Sequence, residues 1–393
     1  KKHNLDLDIV VEGDGIVFAK ALAERLGGRY RTHQRFATAT VILPDNYKLD
    51  VATARIEHYE HPAALPIVEF SSIKQDLYRR DFTINAMAIQ LNTNNFGTLV
   101  DFFNCQNDLK NKQIKVLHNL SFVEDPSRIF RAIRFEQRIQ FRIAPHTRRL
   151  IENAVKMELF GKATDTRLFS EVRQILSEHN PIPAIKRLAT FDLFRFLWPD
   201  LQPNLNIDRH FDKNLYQAKD TIAWHTSHFP EETCQPWMIY LLTIMGRSPS
   251  EVLLAFCKRF LVPRKIRNFL IEQKEHADKC LGHLLNHPKI PESKLYWLLE
   301  ELQTEGILYL LSIIPEAELK ERILHYLTTL RYCSPILNGR DLTALGYKPG
   351  PQYKIMFNTL LTQRLDGKIT SRAEELALLE EKYPVEKEKL TKR

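Results

Sequence analysis

The stretch Leu5-Asp6-Leu7-Asp8-Ile9-Val10-Val11 decides how the chain is read. Apolar residues alternate with two aspartates, which is the period of a strand with one buried face. Leu5, Leu7 and Ile9 point to the core, and Asp6 and Asp8 point together to the other face. Neighbouring carboxylates repel, so a strand built only for stability avoids them. A divalent cation reverses the sign, because hard oxygen ligands can hold Mg²⁺ against a phosphate. Taken alone, a surface strand with solvated acids explains the D-x-D more economically.

The residues downstream change that balance. Gly13 to Gly15 makes a turn, and Ile16 to Leu26 has helical spacing that stops at Gly27-Gly28. Phe36 to Leu43 and Lys48 to Ala52 read as strands joined at Pro44-Asp45-Asn46, a hairpin. Leu49 and Val51 flank Asp50, so Asp50 points away from the core in a strand that can lie beside the first. Three acids, Asp6, Asp8 and Asp50, then converge on one sheet face, the arrangement that metal-dependent phosphoryl transfer uses. Ala54 to Ile67 has no clean period and reads as a polar, mobile loop over the site. Ser71-Ser72 offers an N-cap for a helix running through Tyr78.

Arg79-Arg80-Asp81-Phe82-Thr83-Ile84-Asn85-Ala86-Met87-Ala88 follows, with a strand-like Met87 to Leu91 at its end. Arg79 and Arg80 can hold a triphosphate, and Asp81 can orient an arginine or meet a ribose hydroxyl. A plain Arg-Asp ion pair tying helix to sheet explains the stretch equally well if it stands alone.

Composition sets the outer bounds. The 393 residues are 44% hydrophobic and 26% charged, ordinary for a globular protein with several packed units. The formal net charge of +8 favours an anionic partner, nucleic acid above all. Five scattered cysteines, never spaced C-x-x-C, read as reduced thiols of a cytoplasmic protein. No run reaches the length of a membrane span, so no membrane partner is expected. The chain has no initiator Met and starts almost inside a strand, so further residues are expected upstream of Lys1.

Arg79 to Ala88 resembles the R-R-D-F-T-I-N-A-M-A signature of the class II tRNA nucleotidyltransferase and bacterial poly(A) polymerase family. Leu5-Asp6-Leu7-Asp8 is similar to that family's catalytic D-x-D, and Asp50 falls where it carries a third acid. The likeness continues through Asp101 to Leu109, through Glu124-Asp125-Pro126-Ser127-Arg128 to Phe135 (E-D-P-x-R-x-x-R-A-x-R-F), and through Arg167-Leu168-Phe169-Ser170-Glu171. Asn338 to Leu342 and Gly346 to Pro351 are similar to a segment common in the family's tail. Two departures stand out. The upstream G-G-x-V-R-D stretch is absent from the chain. Asn104-Cys105 replaces two glycines, a turn change that can alter a local backbone angle.

The resemblance implies a reaction and its residues: attack of an RNA 3′-hydroxyl on the α-phosphate of a nucleoside triphosphate, with pyrophosphate leaving. Asp6 and Asp8 would bridge two Mg²⁺ ions, and Asp50 would join the ion that activates the hydroxyl. Arg79, Arg80, Asp81 and Asn85 would bind nucleotide. Asp125 would start a helix as N-cap with Pro126 at N1. In the family the Asp125 and Arg128 positions hydrogen-bond the base edge, and an Asp/Arg pair suits C or A, which present an amine beside a ring nitrogen. Arg131 and Arg134 lie on the same side of that helix and are counted with the nucleotide-binding set, although solvated arginines fit the spacing as well. ATP is the expected substrate, with CTP left open. The expected partner is tRNA, through its acceptor arm and T-loop.

Beyond Leu117 the spacing is helical nearly throughout: Thr147 to Met157, Arg167 to Leu176, Pro183 to Leu197, Met238 to Met245, Ser250 to Phe260, Leu295 to Leu302 and a terminal helix from Glu374. Phe194, Phe196, Trp198, Trp237 and Tyr240 read as core rather than base-stacking platforms. His58 and His61 read as solvated. The expected fold class is α+β: a small N-terminal nucleotidyltransferase head on a mixed β-sheet (1–117), then an all-α neck (118–200), body (201–305) and tail (306–393). The expected activity is addition of C, A or both to the tRNA 3′ end. Poly(A) polymerase, a catalytically silent RNA-binding protein and a metal-dependent phosphohydrolase are the alternatives; the last lacks any His-Asp dipeptide for support.

Overall fold

The structure is a computed structural model that describes residues 7–58, 67–158, 165–197 and 208–384. The chain divides into two compact units, 1–205 with 256–262, and 206–255 with 263–393.

The first unit begins with a four-stranded mixed sheet in the order β1-β4-β3-β2. Its strands are β1 (Leu7–Val11), β2 (Arg29–His33), β3 (Thr38–Ile42) and β4 (Lys48–Thr53). β1 lies parallel to β4, while β3 pairs antiparallel with both β4 and β2. The helix α1 (Gly15–Arg25) covers one face, with Ala19 and Ala23 packed on Ala39, Val41 and Val51. Alanines one turn apart let the helix approach the sheet closely, and each buried valine contributes roughly 1.5–3 kcal/mol. Asp14 caps the helix, accepting from the Ile16 and Val17 amides. Gly15 sits close against the sheet: a Cβ there would lie 2.9 Å from the backbone nitrogen of Thr53, so a larger residue would force a shift.

Three readings of this region change. Arg29–His33 is a strand, β2, although its sequence shows no apolar alternation. It forms the sheet edge, and an edge strand with both faces wet carries no hydrophobic signature. The stretch read as a polar loop from Ala54 to Ile67 begins and ends in paired strands, β5 (Arg55–His58) and β6 (Ile67–Phe70), with Arg55 opposite Phe70. Backbone pairing between polar strands leaves no period to read. The part of that loop at 59–66, His61 included, lies outside the described residues, as does the His58 side chain. The strand-like Met87 to Leu91 shrinks to β7 (Ala88–Ile89), paired with β8 (Leu99–Val100).

The helix α2 (Ile73–Tyr78) starts at Ser72, whose hydroxyl accepts from the Gln75 amide. Asn104, in place of a glycine, sits at φ 60°, ψ 38° ahead of α3 (Cys105–Lys110). Asparagine tolerates the left-handed region better than other non-glycine residues, so the turn survives the exchange. β9 (Gln113–Ile114) pairs with β10 (Arg142–Ile143) around α4 (Ser121–Glu124) and α5 (Arg128–Arg138). Ile129, Phe130, Ala132 and Ile133 of α5 are fully buried.

The helices α6 (Pro145–Lys156), α7 (Asp165–Leu176), α8 (Ile182–Thr190) and α9 (Phe194–Leu197) complete the described part of this unit up to residue 197. The single helix expected from Pro183 to Leu197 is thus broken in two. Asp192 takes φ 55° at the break, which stops α8, and Leu193 and Phe194 still reach the core.

The second unit is helical. It contains α10 (Arg209–His228), α11 (Pro236–Met245), most of α12 (Ser250–Arg259), α13 (Arg264–Asn286), α14 (Glu292–Glu300), α15 (Thr304–Ile313), α16 (Ala317–Thr328), α17 (Gly339–Ala344), α18 (Pro351–Leu365) and α19 (Arg372–Lys382). Trp237 and Tyr240 of α11 are core residues, as expected; Trp198 lies outside the described residues. Lys274 of α13 is 1% exposed, its ammonium held at 2.6 Å by Asp278, which also accepts from the Tyr309 hydroxyl. Toward the end of the chain, the fully buried Glu375 accepts from the Ile336 and Leu337 amides and pairs with Arg364. The α+β class with a small mixed sheet followed by helices is the one expected. Among the described residues, no helix is long and apolar enough to cross a membrane.

Candidate active site

The parallel pairing of β1 and β4 places Asp8 directly opposite Asp50. Adjacent strands lie about 4.8 Å apart, and residues in register share a face. Ile9, Val11, Leu49 and Val51 occupy the α1 side, so both aspartates stand on the opposite, exposed face. The row continues across the sheet, with Thr40 opposite Asp50 and Arg31 opposite Thr40. The Thr40 hydroxyl donates to Asp50 Oδ1 at 2.6 Å. Sequence reasoning missed Thr40, although the tight hairpin register already implied its pairing with Asp50. Asp6 lies outside the described residues.

Two exposed carboxylates in register are hard oxygen donors and fit Mg²⁺. Among the described residues no three His, Cys, Asp or Glu side chains cluster as a metal cage.

A second group forms where α2 ends. Asp76, 1% exposed, holds Arg79 at 2.6 Å and Arg80 at 3.4 Å. The same carboxylate accepts from the Arg55 amide, and the Arg55 carbonyl accepts from Arg79 Nε at 3.1 Å. The chain leaving the acid-bearing strand β4 is thereby tied to both arginines. Asp76 was also missed; its spacing of three and four residues before the arginines was the available signal.

Asp81 joins a third group. Its Oδ1 accepts from the Phe82 amide and the Asn85 side chain, and its Oδ2 accepts from Arg131 Nε at 2.7 Å. Arg131 and Arg134 share Glu171, each at 3.3 Å. Both arginines are ion-paired; Arg131 keeps 32% side-chain exposure. Arg134 is 5% exposed.

The assigned α5 begins at Arg128, later than the expected start at Asp125-Pro126. The turn before it closes with shorter bonds, from Arg128 N to the Asp125 carbonyl and from Ile129 N to the Pro126 carbonyl. Asp125 Oδ1 accepts from the Ser127 amide and hydroxyl, and Oδ2 lies 3.4 Å from Arg167. Arg128 donates to the Ser121 hydroxyl at 2.9 Å and to the Arg79 carbonyl at 3.0 Å. The acid and the guanidinium of the E-D-P-x-R segment are thus immobilised separately. His118 packs at a tilt against Tyr78 near this pair; burial and the Arg128 charge lower its pKa to about 4.

Known proteins match this arrangement. Residues 1–115 match the Poly A polymerase head domain, and residues 140–205 match a model described as a probable RNA and SrmB-binding site of polymerase A. The A-adding tRNA nucleotidyltransferase of Geobacter sulfurreducens is 41% identical over 380 residues, 96% of this chain but 43% of that protein. The chain therefore spans less than half the length of that relative. The A-adding tRNA nucleotidyltransferase of Halalkalibacterium halodurans is 30% identical over 383 residues, 96% of this chain and 84% of its own length. The Thermotoga maritima CCA-adding enzyme complexed with tRNA superposes with a TM-score of 0.78 at 34% identity, covering 95% of this chain and 86% of that one. With the acid pair, the R-R-D-F-T segment and these likenesses in place, the chain belongs to the tRNA nucleotidyltransferase family built on the poly(A) polymerase head.

Proposed function

We propose that the chain is the working part of a cytoplasmic tRNA nucleotidyltransferase that transfers AMP from ATP to the 3′ end of tRNA. The observation that carries this reading is the in-register pair Asp8 and Asp50 on the exposed face of the sheet. The A-adding relatives favour ATP. Addition of the whole CCA end is the second reading, favoured by the likeness to the Thermotoga enzyme.

In this reading 1–117 is the catalytic head, 118–200 the neck, 201–305 the body and 306–393 the tail, and the helical parts read the acceptor arm and T-loop by shape and phosphate. The 3′-oxygen forms a bond to the α-phosphorus as the α–β bridge breaks and pyrophosphate leaves with the electron pair. Asp6, Asp8 and Asp50 would hold two Mg²⁺ ions, which when bound acidify the hydroxyl and offset charge on the leaving group. Thr40 occupies Oδ1 of Asp50 and leaves Oδ2 to take the hydroxyl proton. Arg79 and Arg80, fixed by Asp76, face the triphosphate; Asp81, Asn85, Arg131 and Arg134 hold the surrounding frame. Asp125 accepts from the exocyclic amine of the base, and Arg128 donates to its ring nitrogen. Both side chains are pinned by protein partners, so they keep the geometry of a template.

The test uses the full chain with Mg²⁺, each labelled nucleoside triphosphate, and tRNA transcripts ending before C, after C and after CC. Label from ATP only, on the CC-ended tRNA, is expected. CTP followed by ATP, stopping at CCA, selects the second reading. Long A tails would make the protein a poly(A) polymerase, and RNA binding without any incorporation would overturn the enzyme.

A further inference from the structure

The sheet face opposite α1 carries more than the acids. One row across it is Asp8, Asp50, Thr40 and Arg31, a residue from each strand in the order β1-β4-β3-β2. Charge along the row runs from two carboxylates, through a neutral hydroxyl, to a guanidinium. Arg29, two positions before Arg31 on β2, stands on the same face. Both arginines are exposed. Among the described residues neither side chain has an ion pair or a hydrogen bond, whereas Arg79, Arg80, Arg131 and Arg134 each meet a carboxylate.

β2 is an edge strand, and charge on an edge keeps further strands from adding to it. That need is met by charge of either sign on either face. It leaves unexplained why β2 has no acid and why both arginines share the face of the aspartates. Tyr30 and Thr32 take the other face, opposite Val41 and Ala39 of the α1 core. All five residues of β2 pair with β3, so the two cations stand on fixed backbone. Between them and the acids the central side chains are small: Thr38, Thr40 and Ala52.

Strand order gives the face a direction. In the proposed reaction Asp50 serves the attacking hydroxyl, and β3 and β2 lie beyond it, away from Asp8. Arg31 is two strands past Asp50, about 10 Å at the usual strand spacing. In an RNA the terminal ribose separates the 3′-oxygen from the phosphate on its own 5′ side. With that oxygen at Asp50, the ribose can lie over the small residues of β3 and the phosphate over β2.

We propose that Arg31, with Arg29 beside it, binds the last internucleotide phosphate of the RNA substrate and so sets the 3′-hydroxyl against Asp50. The inference rests on the proposed nucleotidyl transfer and adds residues that position its attacking group. A phosphodiester offers two free oxygens and one negative charge, which a guanidinium fork satisfies together.

The experiment is a cycle between a side chain and a phosphate. The full chain and the variant R31Q are each given ATP and one of two CC-ended tRNAs. One tRNA is unmodified, and the other carries a neutral methylphosphonate as its last linkage. The methylphosphonate should lower kcat/KM for the RNA about tenfold in the parent, the size expected for one charge-assisted hydrogen bond. R31Q should lose about as much on the unmodified tRNA, and R29Q/R31Q more. R31Q with the modified tRNA should lose little beyond either change alone, because both remove the same contact. KM for ATP should stay within twofold of the parent.

Penalties that multiply in full place the two groups apart and overturn the inference. So does an R31Q protein with the parent's kcat/KM on unmodified tRNA. A raised KM for ATP with RNA use unchanged also overturns it, by making the arginines a triphosphate site. Transfer by the parent upholds the enzyme in all of these cases. A parent that binds tRNA but transfers nothing fails as an enzyme, and the same cycle read as Kd still decides the phosphate contact.

Discussion

Arg131 reaches Asp81 across fifty positions of sequence, donating from Nε to Oδ2 at 2.7 Å, with Nη2 2.6 Å from the same oxygen as an ion pair. The contact joins α5 to the R-R-D-F-T segment and pairs Asp81 with an arginine. Asp81 is 8% exposed, so the pair is worth more than a surface bridge but less than a fully buried one. A double-mutant cycle on Asp81→Asn and Arg131→Gln, read by urea unfolding, should give a coupling of about 1–2 kcal/mol. Additive single effects would show that the contact contributes no net energy.

Asp50 tests the chemistry. Asp50→Asn keeps the shape and the Thr40 hydrogen bond but removes the charge that faces Asp8. Single-turnover AMP transfer should fall by about a thousandfold or more, several kcal/mol of lost charge stabilisation, while tRNA affinity changes little. A variant with the parent's single-turnover rate would remove Asp50 from the reaction.

Asp76 tests how the arginines are held. Its carboxylate is buried beneath Arg79 and Arg80, which keep 20% and 31% side-chain exposure. Asp76→Ala strands two cations and the Arg55 amide, and should cost about 2–4 kcal/mol of stability, with partial relief from solvent at the arginines. The apparent KM for ATP should rise in the same variant. Stability loss with an unchanged KM would separate the arginines from the triphosphate.

His118 makes a pH prediction. Burial first, and then the positive charge of Arg128, lower its pKa from 6.5 to about 4. Glu124, 3.4 Å away, pulls in the opposite direction without prevailing. The folded protein therefore stays neutral at His118 between pH 6.5 and 4 while the unfolded chain takes up the proton. Its contribution to stability is complete above pH 6.5 and is lost as the pH falls toward 4. The stability difference between the parent and His118→Gln should shrink over that window. A constant difference down to pH 4 would contradict the assignment.

Gly15 tests the join between helix and sheet. An alanine Cβ would meet the Thr53 nitrogen and hydroxyl, both at 2.9 Å, and backbone cannot swing aside as a side-chain tip does. Gly15→Ala should destabilise the protein by about 1–3 kcal/mol in chemical unfolding. A neutral result would mean that α1 shifts freely on the sheet.

Much of the site was legible one element at a time. The alternation at the start of the chain marked a strand with acids on one face, and Leu49 and Val51 gave Asp50 its direction. The residues that hold the site were harder to see. Asp76 looks like any helix acid, Thr40 like any strand threonine, and Glu171 pairs with Arg131 from forty positions away. β2 and the β5–β6 pair escaped because polar strands carry no period of two.

The sequence by itself determined what depends on neighbours along the chain: strand and helix periods, the capped start of α2, and the motifs that resemble the nucleotidyltransferases. Only the tertiary structure decided which charges meet. Asp8 lies beside Asp50 because β4 returns parallel to β1 after α1, β2 and β3 intervene. Arg131 and Arg134 are ion-paired because α7 brings Glu171 to them. Local periodicity fixes the face on which a side chain stands, but the partner across that face comes from another element, and its arrival depends on packing of the whole unit.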